Sequence, residues 1–117
     1  MLPKDCRIRL TRDFERIFNY RRSVSGRFVR LTMAPPANSE QRTSRFAVVT
    51  STKVSKKAVI RNRLRRRVRA DISKILPLIK EPLDIIVICQ PSAVGSSAID
   101  FRNDLYALIA KVYRVRL

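Results

Sequence analysis

The sequence predicts an α+β fold, a two-layer α-β sandwich with helices on a small mixed sheet, in the order α-β-β-β-α-β-α. Three segments support this prediction. A basic segment carries an apolar residue at every fourth position from Ile60 to Ile72, which is the spacing of one helical face. Residues 85–88 are apolar throughout, as in a central strand buried on both faces. An apolar stripe from Phe101 to Val112 predicts a long C-terminal helix.

The first half of the chain is predicted to form one short helix and three strands. The helix spans residues 12–20, and Thr11 is its expected N-cap because a hydroxyl can accept a hydrogen bond from the first turn. Aromatic and β-branched residues favour strands in the stretches that follow. The expected strands are residues 23–25, 27–34 and 45–52. Pro35 and Pro36 end the second of them.

The basic segment is predicted to be helical from a start within residues 55–58 to the residue before Pro77, which cannot continue a helix. A strand is expected at residues 83–89. The last helix then begins after Ser97, and Asp100 stands three residues further on. This spacing resembles a capping box with Asp in place of Glu.

The charge of the chain predicts a polyanionic partner. Against 26 Lys and Arg there are 9 Asp and Glu, so 117 residues carry a net charge of +17. Residues 41–70 contain eleven basic side chains and no acid, so the charge forms a patch. Nucleic acid, an anionic membrane and an acidic protein would each neutralise it. A basic patch on a folded element favours nucleic acid.

Length predicts a single domain over residues 1–117, with its core at about 7–113, and the basic patch predicts that this domain binds RNA. No apolar run approaches the roughly 18 residues of a membrane span, and charges occupy the place of a signal-peptide core. Cys6 and Cys89 are expected to be reduced thiols rather than a disulfide. A cytoplasmic location is therefore expected.

Few residues offer covalent chemistry. The chain contains no histidine, which removes the usual general base, the activator of Ser and Cys nucleophiles, and a common metal ligand. Asp100 and Asp104 are the best-placed pair of acids, one helical turn apart. They favour a helix N-terminus through its dipole, and the alternative is a metal-dependent nuclease. No catalytic residue and no metal ligand are expected in the protein itself.

The basic helix is expected to bind RNA. On a helical wheel Asn62, Arg66 and Arg69 lie opposite the apolar stripe, while Arg61 and Arg65 flank it. Arginine grips phosphate with a planar fork and stacks on bases, and Asn adds an acceptor. A merely solvated face would mix charges of both signs, because like charges one turn apart repel.

Phe14 and Phe18 lie one turn apart on the first helix, with Arg12 and Arg16 beside them. This spacing is typical of core residues. Aromatic side chains interleaved with basic ones also form platforms on which single-stranded bases stack. The residues alone leave both interpretations open.

Arg61-Asn62-Arg63, followed by Arg65, Arg66 and Arg69 at the start of a long helix, resembles the Arg-Asn-Arg motif of the protein subunit of bacterial ribonuclease P. Arg9-Leu10, Asp13-Phe14 and Phe18 are similar to the first helix of that family. The resemblance covers most of residues 7–112. Thr52 replaces a lysine of the family pattern, and Arg67 stands where the family is usually apolar.

The resemblance implies a left-handed crossover around the basic helix, against the usual right-handed rule. It also implies that the protein is an accessory subunit, while a catalytic RNA holding most of the Mg²⁺ removes the 5′ leader of precursor tRNA. The protein is expected to be monomeric within this ribonucleoprotein. Another basic RNA-binding protein, such as a ribosomal protein, is the alternative.

The resemblance also divides the candidate residues between two surfaces. The surface for the catalytic RNA comprises Lys53, Lys56, Lys57, Arg61, Asn62, Arg63, Arg65, Arg66 and Arg69. The cleft for the single-stranded leader, between the first helix and the sheet, comprises Arg12, Phe14, Phe18 and Leu31.

Overall fold

The computed structural model of the protein describes Leu2, Pro3 and residues 6–117. The elements follow the predicted order, and the α+β class is confirmed. They are α1 (Thr11–Tyr20), β1 (Arg22–Ser25), β2 (Val29–Ala34), β3 (Arg45–Val49), α2 (Ala58–Ile75), β4 (Asp84–Cys89) and α3 (Ala98–Tyr113). Single 3₁₀ turns follow α2 at Leu76–Leu78 and β4 at Pro91–Ala93. None of the helices described is both long and apolar enough to cross a membrane.

The four strands form one mixed sheet in the order β1-β2-β4-β3. β4 pairs antiparallel with β2 and parallel with β3, so Val87 lies between Leu31 and Val48. The parallel pair needs a crossover connection, and α2 supplies it. The left hand of this crossover stays a prediction.

The larger core fills the space between one sheet face and the helices α2 and α3. Alternate strand residues point into it, among them Leu31, Phe46 and Val87, because successive side chains leave a strand on opposite faces. The predicted helical stripe lines the other side at Leu64, Val68, Ile72 and Ile75, with Ile60 only half-buried. The stripe therefore commits one side of the basic helix to the core.

The second face of the sheet is partly covered by α1. Ile17 is fully buried there against Ala34, Ala47 and Ile86. Phe14 packs at the margin of this smaller core and is half-buried. The helix thus joins the two-layer sandwich as a partial third layer, and it leaves the β1 side of this face open.

Several predicted boundaries differ from the structure. Thr11 as the N-cap of α1 is wrong: Leu10 is the extended residue before the helix, and no side chain caps it. The N-cap predicted at Ser97 is confirmed, since its hydroxyl accepts the Asp100 N–H at 3.0 Å. β2 begins two residues later than predicted and β3 ends earlier, at Val49.

Cys6 and Cys89 are both buried and are not joined by a disulfide, as predicted. Burial raises the pKa of the Cys89 thiol to about 12, although Arg65 and Arg67 act in the opposite direction. A thiol with such a pKa stays protonated at neutral pH and is a poor nucleophile.

Candidate nucleic-acid interface

The outer side of α2 is a dense cationic surface. Asn62, Arg63, Arg66 and Arg69 are exposed on it, because the apolar stripe turns the opposite side of the helix toward the core. The segment that enters α2 adds three exposed lysines: Lys53, Lys56 and Lys57. The structure therefore brings most of the predicted RNA-binding residues to one continuous side of the molecule.

Arg61 and Arg65 differ from their neighbours because they are half-buried and hydrogen-bonded within the protein. Arg61 Nη1 donates to the Ser55 carbonyl oxygen at 2.9 Å. Arg65 donates to the Asn62 side-chain oxygen, and its Nη2 reaches the Thr50 carbonyl oxygen at 3.5 Å. These two arginines brace the segment between β3 and α2, and so help to present its lysines.

Arg7, which the sequence interpretation missed, extends this cationic surface. It lines a pocket of about 290 Å³ together with Arg66 and Arg69. Arg7 Nε and Nη2 donate to the Leu2 carbonyl oxygen at 2.9 and 2.7 Å, which fixes the guanidinium. Three arginines that line one concavity form a suitable binding site for a phosphate.

A second candidate surface lies between α1 and the open part of the sheet. Phe18 is 42% exposed there and borders a shallow pocket of about 220 Å³. The other lining residues are Arg21, Arg22, Ser23, Arg30 and Thr32. Ser23 and Thr32 are register partners on β1 and β2. The pocket thus joins an aromatic ring to guanidinium and hydroxyl groups.

Two of these pocket residues, Arg30 and Thr32, follow from the alternation of β2, a signal that a prediction based on aromatic residues does not use. Val29, Leu31 and Met33 alternate with Arg30 and Thr32, and only the second set can face α1. Placing Leu31 in the cleft was therefore wrong. Its side chain is fully buried in the core on the α2 and α3 side.

The remaining cleft residues are all on α1. Phe14 is half-buried and packs against the sheet, where it also borders a second pocket beside Arg69. Arg12 is exposed on the helix and is not among the residues that line the pocket at Phe18. Phe18 is consequently the aromatic side chain best placed to meet a base.

Asp84 is the centre of a charged cluster that fixes α1 against the sheet. Its carboxylate is fully buried and accepts Arg45 Nε at 2.9 Å, Arg45 Nη2 at 2.7 Å and Gln41 Nε2 at 2.8 Å. Arg16 of α1 also donates to it, and donates to the Pro35 carbonyl oxygen at 2.8 Å. Asp13 lies 3.5 Å from both arginines.

The cluster changes the ionisation of its members. Burial alone would raise the pKa of Asp84, but the hydrogen bonds from Arg45, Gln41 and Arg16 outweigh it and lower the pKa. The hydrogen bond to Asp84 raises the pKa of Arg45, against the effect of burial. Arg16 and Arg45 are therefore neutralised inside the protein and are poor candidates for phosphate contacts.

Asp104 has a structural role. Its two carboxylate oxygens accept the backbone N–H groups of Arg27, Phe28 and Val29 at 2.8, 2.8 and 3.3 Å. The turn before β2 approaches so closely that a Cβ on Gly26 would lie 2.6 Å from the Asp104 carboxylate. In the part of the chain that the structure describes, no three His, Cys, Asp or Glu residues group as metal ligands would.

Comparisons with known proteins agree with the fold and the motif. The family model for ribonuclease P matches residues 2–113. The ribonuclease P protein component of Synechocystis sp. is 34% identical over 110 residues, covering 94% of this chain and 87% of that protein. The component of Syntrophomonas wolfei is 31% identical, covering 95% and 90%.

Solved structures give the same result. The Staphylococcus aureus ribonuclease P protein superposes with a TM-score of 0.81 at 30% identity, covering 92% of this chain and 97% of that one. The Thermotoga maritima protein gives 0.76 at 26% identity, covering 95% and 98%. These similarities do not favour a ribosomal protein. The chain belongs to the ribonuclease P protein family, the accessory protein subunits of the endoribonuclease that acts on tRNA precursors.

Proposed function

We propose that this subunit binds the catalytic RNA through the outer side of α2 and the 5′ leader of precursor tRNA through the cleft beside Phe18. The observation that carries the proposal is the placement of the two surfaces. α2 packs on one face of the sheet and α1 on the other, so two RNA segments can be held at once. The protein would act as a monomer within the cytoplasmic ribonucleoprotein.

The α2 surface suits a large, folded RNA. The buried apolar stripe anchors α2 on the core, and three arginines are exposed on its outer side: Arg63, Arg66 and Arg69. Because the helix backbone is already fixed, only these side chains lose conformational freedom when they bind phosphates. Each phosphate neutralised releases counterions, which makes such binding strong at low salt. The Asn62 amide N–H groups add donors at the same surface, which suit ribose or a base edge, while the Asn62 side-chain oxygen already accepts from Arg65.

The cleft suits a single strand. A base can stack on the exposed ring of Phe18, since every base offers a π-face. Arg30, Arg21 and Arg22 lie close enough to that ring to line the same pocket and to neutralise the backbone of the strand. The hydroxyl of Ser23 adds a hydrogen-bonding group at the cleft.

The reaction would use Mg²⁺ held mainly by the RNA. Asp84 and Asp104 do not fit a metal site, because their carboxylates are occupied by guanidinium, amide or backbone N–H donors. Mg²⁺ supplies charge neutralisation and an activated water in such hydrolyses. The protein would contribute affinity and would offset the repulsion between phosphates.

The test is the affinity of the reconstituted ribonucleoprotein for precursor tRNA and for mature tRNA, with Phe18→Ala in the protein. Loss of a stacking platform should weaken precursor binding by about fivefold or more. Mature tRNA has no leader, and its affinity should not change. Because Phe18 is largely outside the core, the variant should fold normally.

Tyr20→Ala is the matched control. Tyr20 is 52% exposed on the same helix, but does not line the pocket at Phe18. It should leave both affinities unchanged. If Phe18→Ala weakened both substrates equally, or neither of them, the leader would not lie in this cleft.

A further inference from the structure

A further pocket, of about 210 Å³, opens between the first half of α2 and the loop that leads into α3. Ile60 and Leu64 form its wall on α2, and Ala93 and Val94 face them from the loop. It lies on the α2 and α3 side of the sheet, so it is separate from the cleft beside Phe18. It also lies apart from the arginine pocket at Arg7, with which it shares no lining residue.

Arg67 links the two sides of this pocket. Its guanidinium lies 5.4 Å above the ring of Phe101, and Nη1 donates to the Ser96 carbonyl oxygen at 3.3 Å. The first contact joins α2 to α3, and the second joins α2 to the loop that carries Val94. Arg67 is half-buried, and its charge lies along the pocket wall.

The loop side of the pocket allows a flat group to come close. Gly95 has a φ of +81°, and a Cβ built there would meet no atom within 4 Å. The backbone therefore borders open space at this point, without a side chain above it. Val94 beside it is 41% exposed, so its side chain is accessible to a group that enters the pocket.

The charge of the lining residues indicates which class of ligand the pocket can bind. Arg63 and Arg67 line the pocket, and none of the described lining residues is acidic. A second copy of a protein with a net charge of +17 would be repelled, whereas a nucleotide would present its phosphate to the arginines. The volume is below the ~300–1,000 Å³ of pockets for drug-sized ligands, so it suits a single planar ring.

We infer that this pocket receives one unstacked nucleobase of the catalytic RNA, with the flanking phosphates held by Arg63 and Arg67. The base would lie between Ile60 and Val94, against the open backbone of Gly95. Single-stranded bases are commonly recognised in this way, by apolar contact with the ring and by cationic contact with the backbone. The inference deepens the proposed RNA contact of α2 and rests on it.

The test is binding of a Synechocystis ribonuclease P RNA transcript to Val94→Ser, measured across a series of salt concentrations. The substitution removes apolar contact and leaves every cation in place. Affinity should fall by about fivefold, while the slope of log affinity against log salt should stay as in the parent protein. Ile99→Ser is the matched control: Ile99 is 61% exposed, does not line the pocket, and should give parental affinity.

Chemical footprinting of the same complexes identifies the base. With the parent protein, one nucleotide should have a protected base edge and a reactive 2′-hydroxyl, because it is unstacked from its neighbours. In the Val94→Ser complex the protection should be lost at that nucleotide alone. Parental affinity for Val94→Ser, or an unchanged footprint, would overturn the inference.

A separate variant distinguishes this outcome from failure of the proposed α2 contact. Arg66→Ala should weaken binding and flatten the salt slope whether or not a base enters the pocket. If Arg66→Ala acted as expected and Val94→Ser had no effect, only the base pocket would be wrong. If Arg66→Ala also had no effect, the α2 contact itself would be wrong.

Discussion

Asp84 and Arg45, the first residues of β4 and β3, are register partners joined by a two-point ion pair in which both guanidinium contacts are 2.9 Å or shorter. Arg16 brings α1 into the same cluster. The pair therefore links the sheet to the helix that carries Phe14 and Phe18. Its geometry helps to set how α1 sits beside the open part of the sheet.

Asp84→Asn should destabilise the protein by about 3 kcal/mol, because Arg16 and Arg45 lose the buried carboxylate that is their main partner and keep only Asp13, at 3.5 Å. Arg16 and Arg45 are partly exposed, so water should limit the loss. Equilibrium unfolding in urea measures it. Asp100→Asn, an exposed acid in the first turn of α3, is the control and should change stability by less than about 1 kcal/mol. Equal losses for the two variants would contradict a special role of Asp84.

The same pair predicts how stability depends on pH. The pKa of Asp84 is lower in the folded protein than in the unfolded chain, where it is about 3.9. Its contribution is therefore fully present above that value and is lost as the pH falls through the lower, folded pKa. The stability difference between the parent protein and Asp84→Asn should shrink on acidification below about pH 4. If the stability difference between the two proteins did not change with pH, the charge of the Asp84 carboxylate would not be what stabilises the fold.

Asp71→Asn should stabilise the protein at neutral pH. Asp71 is buried on α2, and its Oδ2 has no hydrogen-bond partner. Burial raises its pKa, although Lys74, Arg102 and Arg67 act in the opposite direction. Since the folded state disfavours the charge, an uncharged amide should raise the free energy of unfolding, and the gain should disappear as the pH falls toward the ordinary Asp pKa. A loss of stability at pH 7 would mean that the nearby cations dominate.

Arg66→Ala should weaken binding of the catalytic RNA and flatten its salt dependence by roughly one unit, the effect of one lost phosphate contact. Arg61→Ala should act differently, because Arg61 donates to the Ser55 carbonyl oxygen and braces the start of α2. We expect it to lower stability as well as affinity. Lys111→Ala removes an exposed charge from α3 and controls for net charge alone. The same slope change in all three variants would argue against a specific contact by Arg66.

Sequence periodicity was sufficient to predict the elements that pack with a simple repeat. The stripe from Leu64 to Ile75 and the apolar run from Ile85 to Ile88 each follow from local spacing, and both are buried as expected except at Ile88, which is half-buried. The same spacing left Arg66 and Arg69 on the solvent side. The alternation of β2 also contained enough information to exclude Leu31 from the cleft.

Contacts between residues that are far apart in the sequence could not be predicted from local spacing. Asp84 is separated from Arg45 by 39 positions and from Arg16 by 68, and no local pattern joins them. Asp104 meets its backbone partners only after α3 has packed against the turn before β2. The start of α1 depends on backbone conformation at Leu10, where a side-chain preference at Thr11 was misleading.

The most direct test of the account is reconstitution of precursor-tRNA cleavage with a bacterial ribonuclease P RNA at low Mg²⁺ concentration. We predict that the protein raises the cleavage rate well above that of the RNA alone, that an Arg66→Ala, Arg69→Ala variant does so much less, and that the protein without RNA cleaves nothing. An RNA-alone rate unchanged by the parent protein would contradict the account.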